Sequence, residues 1–246
     1  MFQVFTTINE WVRVQVAEAL GKMGDATIAK LIAYHLESEE DDHVRATLVK
    51  TLGLIGDKNM LPVITLYLQD KDSRVRANGV EALMNLGLPD SDIINALMKL
   101  IGDPSNRVRA NTALGLACLG EKKGREILIQ MLETTDEFMR ASATYAIGEL
   151  AEPEDSSKLL EILGDSSWLV RKNAVKALVK LGVRSLPGAT DALSSPNTAV
   201  RLGALEVISE LGDSVARQAV IPLLEDESGE VRSMAEAVLD RLSSRG

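Results

Sequence analysis

The stretch DKDSRVRANGVEALMNLG, from Asp70 to Gly87, contains the pattern that decides the fold of this chain. A short acidic turn precedes Val75-Arg76, and small residues, spaced leucines and a glycine follow. Asp72 is a favoured helix N-cap, because its side chain can accept a hydrogen bond from an unpaired amide of a first turn. Gly87 is typical of a helix end, where a left-handed residue is needed. The stretch therefore predicts one capped helix of about fourteen residues.

The same pattern recurs along the whole chain. An arginine that follows a β-branched residue or methionine returns every 30 to 33 residues, at Arg13, Arg45, Arg76, Arg109, Arg140, Arg171, Arg201 and Arg232. Four residues before each arginine stands an N-cap residue type: Asn9, Asp41, Asp72, Ser105, Asp136, Ser167, Asn197 and Ser228. Eleven residues after it, six copies have glycine: Gly24, Gly56, Gly87, Gly120, Gly182 and Gly212. Apolar residues between these points form one stripe, so each copy predicts an amphipathic helix.

Apolar segments between the copies, such as TIAKLIAYHL (27–36) and REILIQML (125–132), predict another helix before each of these. A single helix-turn-helix unit cannot bury its own stripe, so neighbouring units must stack. The sequence therefore predicts an all-α fold, a right-handed α-solenoid of about eight stacked helical hairpins. Pro187 and Gly188 in the seventh unit predict that its first helix is short or broken.

Composition restricts the kind of partner and the compartment. The chain has 246 residues, of which 46% are hydrophobic and 26% charged, as in a chain that folds. Its net charge of -9 argues against a nucleic-acid backbone as the main partner. The single cysteine, Cys118, fits a reducing compartment, and there is neither a membrane-spanning run nor a secretory signal. We therefore expect a cytoplasmic protein without membrane insertion.

The residues show no catalytic or metal-binding pattern. The only histidines, His35 and His43, form neither an HExxH pattern nor a His-Glu pair. The glycine pairs in GKMG (21–24) and GLIG (53–56) lack the Lys-Ser/Thr of a phosphate-binding loop. We expect no enzyme activity, no catalytic residue, no metal and no cofactor.

The segments VRANGVEALMNLG (75–87), VRANTALGLACLG (108–120) and VRKNAVKALVKLG (170–182) resemble the HEAT repeat, and more narrowly its short prokaryotic PBS-lyase-like form. The likeness covers essentially the whole chain and implies one solenoid domain, residues 1–246, that binds proteins on the concave side lined by the second helices. QVFTT (3–7) is at most a stub of a first helix, and neither end has an obvious polar cap. Since solenoids usually need capping, we expect a fragment of a longer chain or end-to-end self-association.

The recurring arginine needs a partner, because the helix dipole disfavours a cation in the first turn by about 0.3–1 kcal/mol. One set of acids, Asp70, Asp103, Asp165 and Asp226, lies six residues before an arginine, and another, Asp25, Asp57 and Asp213, follows a terminal glycine. The favoured interpretation is a structural arginine column whose Asp-Arg pairs join adjacent repeats. The alternative is a stripe that binds anions or nucleic acid.

Positions two, five and nine residues after each arginine point away from the apolar stripe. Uncharged polar residues occupy the first of these positions, and charge thins in the middle of the chain, where Leu114 and Tyr145 stand. This pattern predicts a partner-binding surface made of Asn78, Asn111, Leu114, Ser142, Tyr145, Glu149 and Asn173. Partial burial by neighbouring helices remains the alternative. The aromatics Trp11, Phe138 and Trp168 either pack on the first turns or form a second contact strip.

The favoured function is a non-catalytic protein–protein interaction scaffold or adaptor whose partner is a protein that the sequence does not identify. A chromophore (bilin) lyase-type subunit or chaperone-like enzyme component is an alternative implied only by the resemblance. An anion or nucleic-acid binder that uses the arginine column is the third.

Overall fold

The computed structural model describes residues 9–24, 27–87, 91–212 and 214–244. Within these ranges the chain is helical and has no strand. The chain divides into two compact units, an N-terminal unit of residues 1–127 and a C-terminal unit of residues 128–246. The QVFTT stub, Asp25 and Asp213 lie outside the described residues.

Two kinds of helix alternate along the chain. In order they are α1 Glu10–Met23, α2 Thr27–Leu36, α3 Asp42–Ile55, α4 Leu61–Leu66, α5 Ser73–Asn85, α6 Ser91–Met98, α7 Asn106–Cys118, α8 Lys122–Leu132, α9 Glu137–Leu150, α10 Ser156–Ile162, α11 Trp168–Leu181, α12 Leu186–Ala192, α13 Thr198–Leu211, α14 Ser214–Val220 and α15 Gly229–Ser243. The odd-numbered helices carry the recurring arginines and are the second helices of the repeats; the even-numbered helices are the first helices. The predicted helix-turn-helix alternation is thus confirmed.

The second helices begin where the sequence predicts. Each starts directly after its predicted N-cap residue, which has extended backbone dihedrals. The cap side chain accepts an amide of the first turn at Asn9, Asp41, Asp72, Ser105, Asp136 and Asn197. At Ser167 and Ser228 the serine makes no such bond. All eight second helices in the described ranges therefore have an N-cap residue at the predicted position, but only six of these residues form the capping hydrogen bond.

The helix ends agree with the sequence only in part. The left-handed conformation predicted for the terminal glycines is present at Gly24, Gly87, Gly120 and Gly182. The prediction is wrong for Gly56 and Gly212, whose φ angles are -76° and -64°. A Cβ on Gly56 would lie 2.4 Å from the carbonyl oxygen of Leu52, so this position needs glycine for space and not for its φ angle. Ala151, which replaces glycine, is itself left-handed with a φ of 51°.

The first helix of the seventh repeat is short, as predicted. A 3-10 turn, Gly182–Ser185, leads into α12, which has seven residues. Pro187 lies in the first turn of α12, where its missing N–H has no helical partner to lose. A Cβ on Gly188 would lie 2.4 Å from the Cδ1 atom of Leu160 in α10, so the glycine permits close packing of the two first helices.

Stacked second helices form the core of each unit. In the N-terminal unit α1 packs against α3, α3 against α5, and α5 against α7; in the C-terminal unit the series is α9, α11, α13 and α15. The predicted apolar stripe is buried: Val75, Val80 and Leu83 of α5 are at most 1% exposed. Burial of one such side chain stabilises the fold by about 1.5–3 kcal/mol. Each unit is thus a stretch of α-solenoid.

Two glycines inside second helices, which the repeat pattern did not predict as contacts, lie close to the following second helix. A Cβ on Gly53 in α3 would lie 2.3 Å from the Cα atom of Ala82 in α5. In the C-terminal unit, a Cβ on Gly148 in α9 would lie 2.6 Å from the Cβ atom of Ala177 in α11. Both glycines stand eight residues after their arginine. These two repeats therefore contain a backbone contact that admits no side chain, whereas other repeats have Met84, Ala117 or Val179 at this position.

We expect Gly53→Ala to lower the free energy of unfolding by about 1–3 kcal/mol, because the new methyl group overlaps the backbone of Ala82. Helix propensity alone predicts the opposite sign, a gain of about 1 kcal/mol. Urea unfolding followed by circular dichroism measures the change. Gly21→Ala, at the same position of the first repeat, is the matched control because its methyl group would meet only side chains, Thr51 at 3.3 Å and Leu54 at 3.7 Å. Equal stability of the two variants would show that the α3–α5 contact is not tight.

Candidate functional site

In the described part of the chain, seven of the column arginines fold back onto the turn that precedes their own helix. Arg76 Nη1 donates to the carbonyl oxygens of Asp70 at 2.8 Å and Lys71 at 3.1 Å. Arg140 Nη1 donates at 3.0 Å to the equivalent carbonyl of Thr134. Bonds to the same turn are made by Arg45, Arg109, Arg171, Arg201 and Arg232. The arginine thus satisfies carbonyl groups that the turn leaves without a backbone partner.

The rest of the guanidinium binds an acid of the next repeat. Arg76 Nε donates to Asp103 Oδ2 at 2.7 Å, and Nη2 donates to Oδ1 at 2.8 Å. The two side chains are 12% and 5% exposed. Equivalent pairs are Arg13–Glu39, Arg45–Asp70 and Arg140–Asp165. Arg201 bonds Asp226 through Nη2 alone, and its buried Nε has no hydrogen-bond partner among the described residues. Where the pair has two bonds, the donors that an anion-binding stripe would need are already used inside the protein, which argues against that alternative.

The acid also holds the start of the following helix. Oδ1 of Asp165 accepts the N–H of Ser167, the N-cap of α11, at 2.7 Å. Hydrogen bonds from Arg140 hold the pKa of Asp165 below its ordinary value, with burial acting in the opposite direction. Because the pKa is lowered in the folded state, the pair stabilises the fold above about pH 4, and this contribution is lost as the pH falls through the folded pKa.

The ladder of acids has a gap in the C-terminal unit. Ser195 stands six residues before Arg201, at a position where five other repeats have Asp or Glu and one, before Arg140, has Thr134. Its hydroxyl accepts the N–H of Asn197 at 3.2 Å, as the carboxylates do elsewhere. Arg171, the arginine of the preceding repeat, keeps its bonds to Asp165 and Ser166 but forms no ion pair in the described part of the chain.

The asparagines predicted to face a partner instead join neighbouring second helices. Asn78 Nδ2 donates to the carbonyl oxygen of Ala46 at 2.8 Å, and Asn173 Nδ2 donates to that of Ala141 at 2.9 Å. Asn78 and Asn111 are only 9% and 6% exposed. Their predicted exposure is therefore wrong, because the carbonyl groups of the preceding helix lie within reach of the amide. Asn173 is half-buried.

The remaining members of the predicted surface divide between core and solvent. Leu114 is 8% exposed, so its predicted exposure is wrong; the run 110–116 of α7 is buried on all sides. Tyr145 is 53% exposed. Ser142 is half-buried, and its hydroxyl donates to the carbonyl of Phe138 at 2.8 Å. Glu149 is exposed and accepts a bond from Lys180 Nζ at 2.7 Å. Ser142, Tyr145 and Glu149 all belong to α9.

The three first-turn aromatics lie in solvent. Trp11, Phe138 and Trp168 are 62–66% exposed, so they do not pack into their turns. The ammonium of Lys172 lies 4.6 Å from the Trp168 ring centroid, a cation–π distance. Cys118 is exposed.

Over residues 9–24, 27–87, 91–212 and 214–244, no group of three or more His, Cys, Asp or Glu side chains could hold a metal ion. None of the helices in the same ranges is long and apolar enough to cross a membrane.

A family model for HEAT repeats matches residues 28–93, 94–178 and 156–240. The chain belongs to the HEAT repeat family. The model for the PBS lyase HEAT-like repeat matches residues 12–34, so this part of the chain is similar to the PBS-lyase-like type that its sequence indicated. No curated protein sequence matches the chain significantly.

Solved structures share this HEAT architecture at low identity. The complex of CpcE and CpcF of phycocyanin lyase from Nostoc sp. PCC7120 is 19% identical, with a TM-score of 0.57 over 98% of this chain and 92% of that chain. YibA of E. coli is 22% identical, with a TM-score of 0.55 over 98% and 91%. Kap95p, solved with RanGDP, is 13% identical, with a TM-score of 0.56 over 98% of this chain but 38% of its own. At these identities the likeness concerns the fold alone.

The exposed side of the second helices is named the second-helix face. Each HEAT unit has a groove on this face. The N-terminal groove has a volume of about 720 Å³, and its lining includes Lys22, His43, Lys50, Leu54, Arg74 and Arg107. The C-terminal groove has a volume of about 370 Å³, and its lining includes Val179, Glu206, Glu210, Met234 and Arg241. Desolvation raises the pKa of Glu206, although Lys172 and Arg171 oppose the rise.

We expect Arg76→Met to lower the free energy of unfolding by about 3 kcal/mol, because it leaves Asp103 buried without its ion-pair partner. Arg171→Met is the matched control: it removes the same bonds to the turn but breaks no ion pair, and should cost about 1 kcal/mol. Urea unfolding at neutral pH measures both. Equal losses would contradict the structural role predicted for the arginine column.

Filling the gap in the ladder should stabilise the protein. In Ser195→Asp the new carboxylate takes the position of the other ladder acids, and its pairing with Arg171 should raise the free energy of unfolding by about 1 kcal/mol. Ser194→Asp adds the same charge one residue earlier, at an exposed site, and controls for net charge. Thermal unfolding compares the two. A higher Tm for both variants, or for neither, would refute the pairing.

Proposed function

We propose that this HEAT chain is a non-catalytic, cytoplasmic scaffold or adaptor that binds a protein partner on its second-helix face. The observation that carries the proposal is that some side chains of these helices are bonded inside the solenoid while others are exposed to solvent. The column arginines and the asparagines are bonded within the solenoid, whereas Tyr145 and Leu54 remain 53% and 57% exposed on the same helices. Exposed apolar side chains among polar ones are typical of interaction sites, and tyrosine is a frequent anchor.

The inter-repeat bonds favour binding over catalysis in this proposal. Arg–Asp pairs and asparagine–carbonyl bonds fix the spacing of adjacent second helices, so exposed groups on different helices are held in place before a partner arrives. A preorganised surface loses little conformational entropy on binding. In α9, Ser142, Tyr145 and Glu149 provide polar and aromatic contacts within one helix, and we retain them as partner-binding residues. Asn78, Asn111 and Leu114 are left out because they are buried.

Two similar structures support the proposal because each contains a complex of two proteins. CpcE and CpcF form a complex with each other, and Kap95p binds RanGDP. The same fold therefore serves protein association in both. We infer that this chain uses it in the same way, with a partner of its own.

A lyase-type subunit is the second candidate, favoured by the match of residues 12–34 to the PBS lyase HEAT-like repeat and by the fold shared with the phycocyanin lyase complex. Incubation with phycocyanobilin tests it. A shifted visible absorption band that stays with the protein through gel filtration would support this candidate, and an unchanged bilin spectrum would refute it.

Site-specific photocrosslinking in the native host tests the scaffold function. A benzoylphenylalanine at Tyr145 or Leu54 should capture a protein, whereas the same probe at Tyr34 or Leu66, which are 63% and 73% exposed on first helices, should not. Tyr145→Ala should weaken the isolated complex by about tenfold or more, as loss of an anchor does. Capture only from the first-helix positions would place the binding face elsewhere and refute the proposal.

A further inference from the structure

The N-terminal groove differs in charge from the chain that contains it. Four cations, Lys22, Lys50, Arg74 and Arg107, line it, against one acid, Glu18. The whole chain has a net charge of -9, so this excess of cations is local. The C-terminal groove shows no such excess, because its Lys176 and Arg241 face two glutamates.

The groove cations keep donors for a ligand. Lys22 and Lys50 are exposed and form no ion pair within the described residues. Arg74 pairs with Asp72 at 2.9 Å and Arg107 with Glu81 at 3.1 Å, but these arginine side chains are 52% and 55% exposed. Exposed pairs of this kind contribute little and exchange readily for another carboxylate. The arginines of the column, in contrast, are mostly buried and already donate to groups within the solenoid.

The groove also has an apolar part. Leu54 lines it and is 57% exposed, and Ala46 and Gly21 add small apolar surface beside it. A volume of about 720 Å³ lies within the range of clefts that hold a ligand, roughly 300–1,000 Å³. A ligand that fits this lining carries several negative charges around one apolar group.

We infer that the N-terminal groove binds an acidic segment of a partner protein, with carboxylates on Lys22, Lys50, Arg74 and Arg107 and an apolar side chain on Leu54. This inference rests on the proposed scaffold function and names the chemistry of the partner. Charge complementarity selects the segment and speeds its association. A nucleic acid fits less well, because Phe, Tyr and Trp are absent from the groove lining, which leaves only the His43 ring for base stacking, and because the net charge of -9 repels a long phosphate chain.

Fluorescence anisotropy with the full chain tests the inference. The probe is a fluorescein-labelled peptide in which glutamates flank a single leucine, and its glutamine counterpart is the uncharged control. The acidic peptide should bind, more weakly as salt is added, and the glutamine peptide should not. Failure of the acidic peptide to bind the wild-type chain, or equal binding of the glutamine peptide, would overturn the inference.

Charge reversal locates the site. Lys22→Glu with Lys50→Glu should weaken binding of the acidic peptide by about tenfold or more, since two attractive contacts become repulsive. Lys30→Glu with Lys99→Glu makes the same change in net charge at exposed lysines outside the groove, and should leave binding unchanged. Helical circular dichroism verifies that both variants fold. Equal loss in the two variants would show nonspecific attraction and overturn the inference.

Competition decides the class of ligand. Single-stranded DNA competes with the labelled peptide, and so does the unlabelled acidic peptide. If the DNA displaces the labelled peptide at a lower concentration of phosphate groups than the acidic peptide needs of carboxylate groups, and if the Lys22/Lys50 variant no longer binds the DNA, the groove is a nucleic-acid site and the inference is overturned. If the peptide fails while the probes at Leu54 and Tyr145 still capture a protein, the acidic segment is wrong and the scaffold function stands. If those probes capture nothing, the scaffold function fails independently of the peptide result.

Discussion

One side chain, the arginine near the start of a second helix, connects the turn within its repeat to the repeat that follows at Arg45, Arg76, Arg140 and Arg201. Its Nη1 group binds carbonyl oxygens of its own turn, and its Nη2 group, joined by Nε except in Arg201, binds a carboxylate of the next repeat, as Arg76 binds Asp103. That carboxylate in turn accepts the N–H of the next N-cap. A cation that the helix dipole disfavours is thus retained because it fixes both the turn and the register between repeats.

The repeat pattern was sufficient to predict the helices, the caps and the stacking, because these depend on features within about thirty residues that recur along the chain. Exposure was harder to predict. The position of Asn78 on its helix indicated a surface residue, but the carbonyl of Ala46 lies close enough to bond it. That proximity follows from the contact of Gly53 with Ala82, a distance between two helices that the period of one helix does not contain. The same reason accounts for the burial of Leu114.

The polar residues of the second helices therefore have two separate uses. Those nearest the axis of the helix stack, such as Arg76 and Asn111, satisfy backbone and carboxylate groups inside the solenoid. Those farther out, such as Lys50 and Tyr145, stay in solvent and differ between the two units. A shared internal network gives the same architecture throughout, while the outer positions vary without affecting it, so the proposed binding face can differ between the two units.

The locality of the arginine contacts has a consequence for how such chains change in length. Each arginine in the ladder bonds within its own repeat and to the immediately following one, so duplicating or deleting a whole repeat that begins with the acid keeps every arginine next to a carboxylate. An insertion of any other length moves the arginine away from its acid and leaves both charges without their ion-pair partner. At Ser195 this matching requirement is relaxed, because the hydroxyl still accepts the N–H of Asn197 but carries no charge for the arginine of the preceding repeat.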